Sequence, residues 1–208
     1  MPADTRDRIV ASTCELFRRQ GMTGTGLKQI AQSAGAPFGS IYHFFPGGKV
    51  QLADEAIRTA GAMYRDLVLA IFDEGGPDLP TTVRIAFAAA ADNLVATDYA
   101  DACPIATIAL EVASTDEALR RATADVFTDW IDQGAERIAG SGLRPEMCRR
   151  LMLGFITSLE GAFVLSRALR STEPLLAAGE TVAAAVSTAL VAGSTLRNKA
   201  DRSPVKQA

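Results

Sequence analysis

"GAPFGSIYHFFPGGK", residues 35–49, holds two adjacent phenylalanines, a Tyr-His pair, the chain's single histidine and a Pro-Gly-Gly-Lys stop. Three chemistries compete for this stretch. A phosphate-binding loop needs G-x-x-x-x-G-K-[ST] behind a strand. Here His43 occupies the first glycine position, Val50 follows Lys49, and no strand pattern precedes them. A zinc or general-base role for His43 lacks partners, because no second histidine or cysteine stands at ligand spacing. The third reading is the second helix of a helix-turn-helix, which needs two short helices, a tight turn with a small residue, and side chains on the outer face of the second helix.

The flanking residues favour the third reading. "LKQIAQSAG" follows Thr25, which is placed to act as its N-cap, and sets Leu27, Ile30, Ala31 and Ala34 on one face. Gly35 makes the turn, and Pro37 opens the next helix. Ile41 and Phe45, four apart, point that helix inward and leave Phe38, Gly39, Ser40, Tyr42 and His43 outward or along the rim. Upstream, Asp4 caps a helix whose Ile9, Val10, Thr13, Leu16 and Phe17 repeat at helical spacing up to Gly21. Downstream, a fourth helix starts near Gly48 and runs through Leu52, Ile57, Met63, Leu67 and Ile71 until "EGGPDLP" breaks it.

Five further helices are expected at about 80–98, 104–114, 116–139, 145–171 and 173–194, separated by Pro, Gly and Ser breaks. The expected class is therefore all-α, with about nine helices. The composition agrees: 48% of the 208 residues are hydrophobic but only 6% aromatic. The tail 195–208 is polar and expected to be disordered. Cys14, Cys103 and Cys148 are odd in number and far apart, which points to buried thiols in a reducing cytoplasm, without a disulfide or metal framework. The longest unbroken small-apolar run, 85–91, is far shorter than the roughly 20 residues a membrane span needs, so no membrane association is expected. Charge is uneven. Residues 1–50 carry six Lys/Arg against three Asp/Glu, whereas residues 51–194 carry eleven against twenty. A basic head on an acidic chain is suited to a polyanion.

These residues resemble the DNA-binding domain of TetR-family transcriptional regulators over residues 4–64. The matching features are the Ile9, Ala11, Leu16, Phe17 pattern, Gly21, Thr25, "LKQIA", "AG", "GSIYHFF" and Lys49-x-x-Leu52. The extra glycine in "FPGGK" and the segment "CPIATIALEVAS" at 103–114 are similar to the LmrA/YxaF-like branch. The resemblance implies a three-helix reading head (motif 27–46) and a ligand-binding and dimerisation body over 65–194. It also implies a double-stranded DNA operator, a small-molecule inducer and a homodimer, with no cofactor. On this basis Thr25, Lys28, Phe38, Gly39, Ser40, Tyr42, His43 and Lys49 are expected to contact DNA. Phe38 stands where relatives often carry a polar or basic residue, so its readout would be apolar, against a thymine methyl.

The body is less specific. Leu151, Phe155, Leu159, Ala162, Ala183, Val186 and Leu190 form apolar stripes expected at a dimer interface, although the same stripes would serve a protomer's own core. Met63, Phe87, Leu94, Phe127, Trp130, Ile131, Met152 and Phe163 are candidate linings of an apolar inducer pocket. Two other classes stay open: a small all-helical enzyme using Glu111 or Glu160, the acidic residues set in the most apolar surroundings, and a protein-binding adaptor.

Overall fold

A computed structural model describes residues 4–201. They form α1 (Thr5–Gln20), α2 (Leu27–Ser33), α3 (Phe38–Phe44), α4 (Gly48–Glu74), α5 (Leu79–Ala96), α6 (Pro104–Val112), α7 (Glu117–Arg137), a 3-10 turn (Ala139–Ser141), α8 (Pro145–Leu169) and α9 (Glu173–Asp201). No strand occurs among the described residues. The chain therefore has the expected all-α class. The helices gather into two compact units, and the division falls inside α4 and α7. The first unit holds the chain through Leu67 with Thr97–Asp129. The second holds Val68–Ala96 with the chain from Trp130 onward.

In the first unit, Ile9, Phe17, Ile30, Ile41, Phe45, Leu52 and Ile57 are fully buried, joined by Ile105 and Leu119 from α6 and α7. Each large side chain of this kind contributes about 1.5–3 kcal/mol on burial. The Asp4 carboxylate accepts from the Thr5 backbone N–H and caps α1. The α4–α7 seam is narrow because Gly61 faces Val126: a Cβ at Gly61 would lie 2.6 Å from a Val126 methyl. Arg58 reaches Asp125 at 3.3 Å and Arg65 reaches Asp129 at 2.8 Å along the same seam. The caps differ in one place from expectation: α2 is preceded by Gly26, without a side-chain cap, and not by Thr25.

In the second unit, Phe155 sits edge-on to Phe72 and Phe87, with ring centroids 5.7 and 5.2 Å away. Gly179 on α9 admits Phe87, and Gly134 on α7 admits the Met152 side chain. The α4–α5 turn is well bonded: Thr81 N donates to Asp78 Oδ1 at 2.8 Å, and Gly76 N donates to Thr82 Oγ1 at 2.9 Å.

Two expectations are corrected here. Phe155, Ala162, Ala183 and Val186 are 4% exposed or less. They belong to the protomer's core, because α8 and α9 pack on each other and α9 packs on α5. Leu151, Leu159 and Leu190 are half-buried. The apolar side chains that α8 leaves exposed are Leu153, Val164, Leu165 and Leu169. Second, α9 does not stop at 194 but continues to Asp201, in keeping with the helix-forming Leu, Arg, Lys and Ala of that stretch; residues 202–208 lie outside the described residues. Helix α8 and the Glu173–Ser194 part of α9 are long and apolar enough to cross a membrane by length and composition alone, a test that the core helix of a soluble protein also passes. A search for unbroken apolar runs passes over them because polar residues are interspersed.

Candidate nucleic-acid interface

The α1–α2 turn starts the site. Gly21, at φ +75°, ends α1, and its N–H donates to Phe17 O. The Thr25 hydroxyl then donates to Gly21 O at 2.6 Å, and Gln20 Nε2 donates to Gly24 O, Thr25 Oγ1 and Gln29 Oε1. Thr25 is 1% exposed. This corrects its expected role: its hydroxyl is spent on the turn and does not face DNA. Lys28, the second residue of α2, is exposed.

The α2–α3 turn bends at Gly35, φ +58°, and Ala36 N donates to Ala31 O at 2.9 Å. Ala31 is 3% exposed, so its small side chain lets the two short helices approach. Arg8 Nε donates to Ala34 O at 3.1 Å, tying α1 to the end of α2. Ile41 and Phe45 are wholly buried, which fixes the rotation of α3 about its axis. Phe38 and Tyr42 are 41% and 51% exposed. Gly39 and His43 are exposed as well, and Ser40 is half-exposed. The His43 ring rests edge-on against Phe44, with centroids 4.8 Å apart.

Gly48, at φ +67°, opens α4, and a Cβ there would meet the Tyr42 ring at 3.9 Å. The second glycine of "PGGK" thus brings the start of α4 beside Tyr42. Gln51 Oε1 accepts from Gly47 N at 2.8 Å, and Lys49 is half-exposed next to this helix N-terminus, where backbone N–H groups already favour an anion.

Ion pairs sort the charges of this unit. Arg6 pairs with Glu55 at 2.9 Å and lies over the Phe45 ring. Arg18 pairs with Glu15 and with Asp101, and Arg19 pairs with Glu15 at 2.6 Å. The Arg18 guanidinium holds the Glu15 carboxyl below the usual range. Lys28 and Lys49 have no ion pair among the described residues. Burial pushes the neighbouring Cys14 thiol up to about 11 and also raises the Tyr64 phenol. Neither Cys14 nor Tyr64 ionises near neutrality, so this cluster is packing.

The pocket candidates fall in both units. Met63 and Phe127 belong to the first unit and the other six to the second. Phe87, Leu94 and Met152 are buried as core, Ile131 is 9% exposed and Met63 is 57% exposed, while Phe127, Trp130 and Phe163 are half-buried. Of these, only Phe87 lines the groove of about 630 Å³ in the second unit, which also has Arg84, Ser171, Glu173 and Glu180 along it and is open to solvent. Glu111, singled out in the sequence only as a possible catalytic acid, has a structural role that the sequence does not show: its carboxylate accepts from Thr23 N at 2.9 Å and Thr23 Oγ1 at 3.2 Å.

A helix-turn-helix with a rotation-locked second helix, outward aromatic and hydroxyl groups and two uncommitted lysines defines a DNA-binding regulator. Residues 9–56 match the family described as bacterial regulatory proteins, tetR family, and residues 81–181 match the C-terminal domain of LmrA/YxaF-like transcriptional regulators. An uncharacterized HTH-type transcriptional regulator of Mycobacterium tuberculosis is 34% identical over 82% of this chain and 88% of that protein. The uncharacterized HTH-type transcriptional regulator YxaF of Bacillus subtilis is 32% identical over 86% and 93%. The crystal structure of a TetR transcriptional regulator from Chloroflexus aurantiacus superposes with a TM-score of 0.70 at 30% identity, covering 88% of this chain and 94% of that one. The chain belongs to the TetR family of transcriptional regulators, in its LmrA/YxaF-like branch.

Proposed function

We propose that the protein is a homodimeric repressor that reads a palindromic operator through residues 4–64 and releases it when a small apolar molecule binds the body. The observation that carries the DNA-reading role is the rotation of α3: Ile41 and Phe45 inside, Phe38 and Tyr42 outside. Phe38, Gly39 and Ser40 face base edges. Tyr42, His43, Lys28 and Lys49 serve bases or phosphates, which position the head without carrying sequence information. Dimerisation uses the outer face of α8, where Leu153, Val164 and Leu165 are exposed. At Gly154 and Gly161 an added Cβ would meet nothing within 4 Å, so a second helix can come close. The protein acts in the cytoplasm, without a membrane and without catalysis.

Selection of bound duplexes from random DNA, followed by gel shift with the gene's own upstream region, tests the assignment. A palindromic consensus that is also found upstream is the expected outcome; no sequence preference would defeat it and favour the adaptor. Ligand control is tested by titrating apolar compounds while following Trp130 fluorescence, with and without operator. Coupling is reciprocal, so an inducer that lowers operator affinity by about 1–3 kcal/mol must itself bind more weakly by the same factor when operator is present.

A further inference from the structure

Helix α6 is fastened to the C-terminal end of α1 at two points, both within the first unit. Just before α6, Asp101 pairs with Arg18 in the last turn of α1. Asp101 is 6% exposed, and its Oδ1 has no hydrogen-bond partner. At the other end of α6, the Glu111 carboxylate takes both the backbone N–H and the hydroxyl of Thr23, in the turn between α1 and α2. Gly21 is part of the same fit. It has φ +75°, and a Cβ there would collide with Glu111 Oε1. The turn gripped in this way has inner bonds of its own: Gln20 Nε2 donates to Thr25 Oγ1 and to Gln29 Oε1 of α2, and the Thr25 hydroxyl donates back to Gly21 O.

We infer that Glu111 is a positioning residue for DNA reading, an inference that rests on the dimeric operator-binding function proposed above. Glu111 is too far along the chain to be part of the helix-turn-helix motif, yet it holds the turn through which α1 leads into α2. Thr23 is exposed, and among the described residues its N–H donates to Glu111 alone. Releasing it leaves the inner bonds of Gln20 and Thr25 in place, so the head stays folded while its orientation on α6 loosens. A single head docking on one half-site tolerates that looseness. Two heads that must meet two half-sites together do not, because the second head binds at an effective concentration set by geometry.

The test compares full-length wild type, Glu111→Ala and Glu111→Gln on two duplexes. One is the selected palindrome; the other is the same duplex with one half-site scrambled. Glu111→Ala is expected to bind the palindrome about tenfold more weakly, with less than a twofold change on the scrambled duplex. Glu111→Gln keeps an oxygen acceptor for Thr23 N, and its palindrome affinity should recover to within about threefold of wild type. Thermal unfolding monitors the fold of each variant. Palindrome binding by Glu111→Ala within twofold of wild type overturns the inference. So does an equal loss on both duplexes, which would make Glu111 a support of the head's fold or a direct contact. If the wild type itself fails to prefer the palindrome, the dimeric DNA-reading function falls first; that result is read without any variant.

Discussion

Phe38 and Tyr42, one helical turn apart on α3, meet edge to face with ring centroids 5.7 Å apart and an interplanar angle of 83°. Two exposed aromatic rings that support each other form a ledge with little rotamer freedom left to lose on binding. In the proposed docking, a ring placed this way would read a thymine methyl by contact, and guanine would gain nothing from it. Replacing thymine by uracil at the contacted operator position should therefore weaken wild-type binding about fourfold, the worth of one methyl-sized group at about 0.8 kcal/mol. Phe38→Ala should be insensitive to that change. Equal sensitivity in both proteins would place Phe38 away from the base.

Lys28 and Lys49 are expected to act through phosphate alone. Lys28→Ala and Lys49→Ala should each weaken operator and random DNA by similar factors. Each should also lower the slope of log affinity against log salt by about 1. A variant that changes preference among operators with an unchanged salt slope would contradict the assignment.

Val164 is 61% exposed on the outer face of α8. Val164→Glu should leave the protomer folded but abolish the dimer, since an unpaired charge buried at an interface costs about 3–5 kcal/mol. Light scattering at micromolar concentration should then report a monomer. A dimer that survives both Val164→Glu and Leu153→Glu would move the interface elsewhere.

Gly61→Val should destabilise the first unit by more than Gly61→Ala, because Val126 methyl groups already stand 2.6 and 2.8 Å from an added Cβ. Overpacking of this kind costs about 1–3 kcal/mol. Differential scanning calorimetry would show it as a lowered melting temperature, and an unchanged one would mean that the seam yields.

Burial raises the Cys14 thiol from 9.0 to about 11. The folded state therefore keeps its proton above pH 9, where the unfolded chain gives its proton up. Stability from this group is intact below about pH 9 and declines as pH rises toward 11, by on the order of 1–2 kcal/mol. Denaturant titrations at pH 8 and pH 10 should show a larger drop for wild type than for Cys14→Ala. The same drop in both would assign it to other groups.

The head was legible because its signals are local. Asp4 caps α1, Ile41 and Phe45 four residues apart set the face of α3, and Gly47-Gly48 marks the start of α4. Thr25 misled because a threonine beside a helix start has the same signature whether it caps α2 or bonds back to Gly21. The faces of α8 were ambiguous because it is apolar on two sides: Phe155 and Ala162 face the core while Leu153 and Val164 face out, and periodicity alone carries no inward direction. Glu111 had an odd environment in the sequence but no visible partner, since Thr23 lies 88 residues away.

The first unit is discontinuous, and that has a consequence for the order of synthesis. The segment through Leu67 leaves the ribosome without α6 or the α7 residues that supply Val126, Asp125 and Asp129 to α4. At roughly 5–20 residues per second, the stretch up to residue 129 follows about 3–12 s later. During that interval α1 lacks the carboxylates of Asp101 and Glu111, and the α4 surface around Gly61 is open to water. A nascent chain paused in this window would carry α1–α3 held together by their own contacts but not yet set against α6, so the proposed competence to read DNA arrives well after α3 has been made.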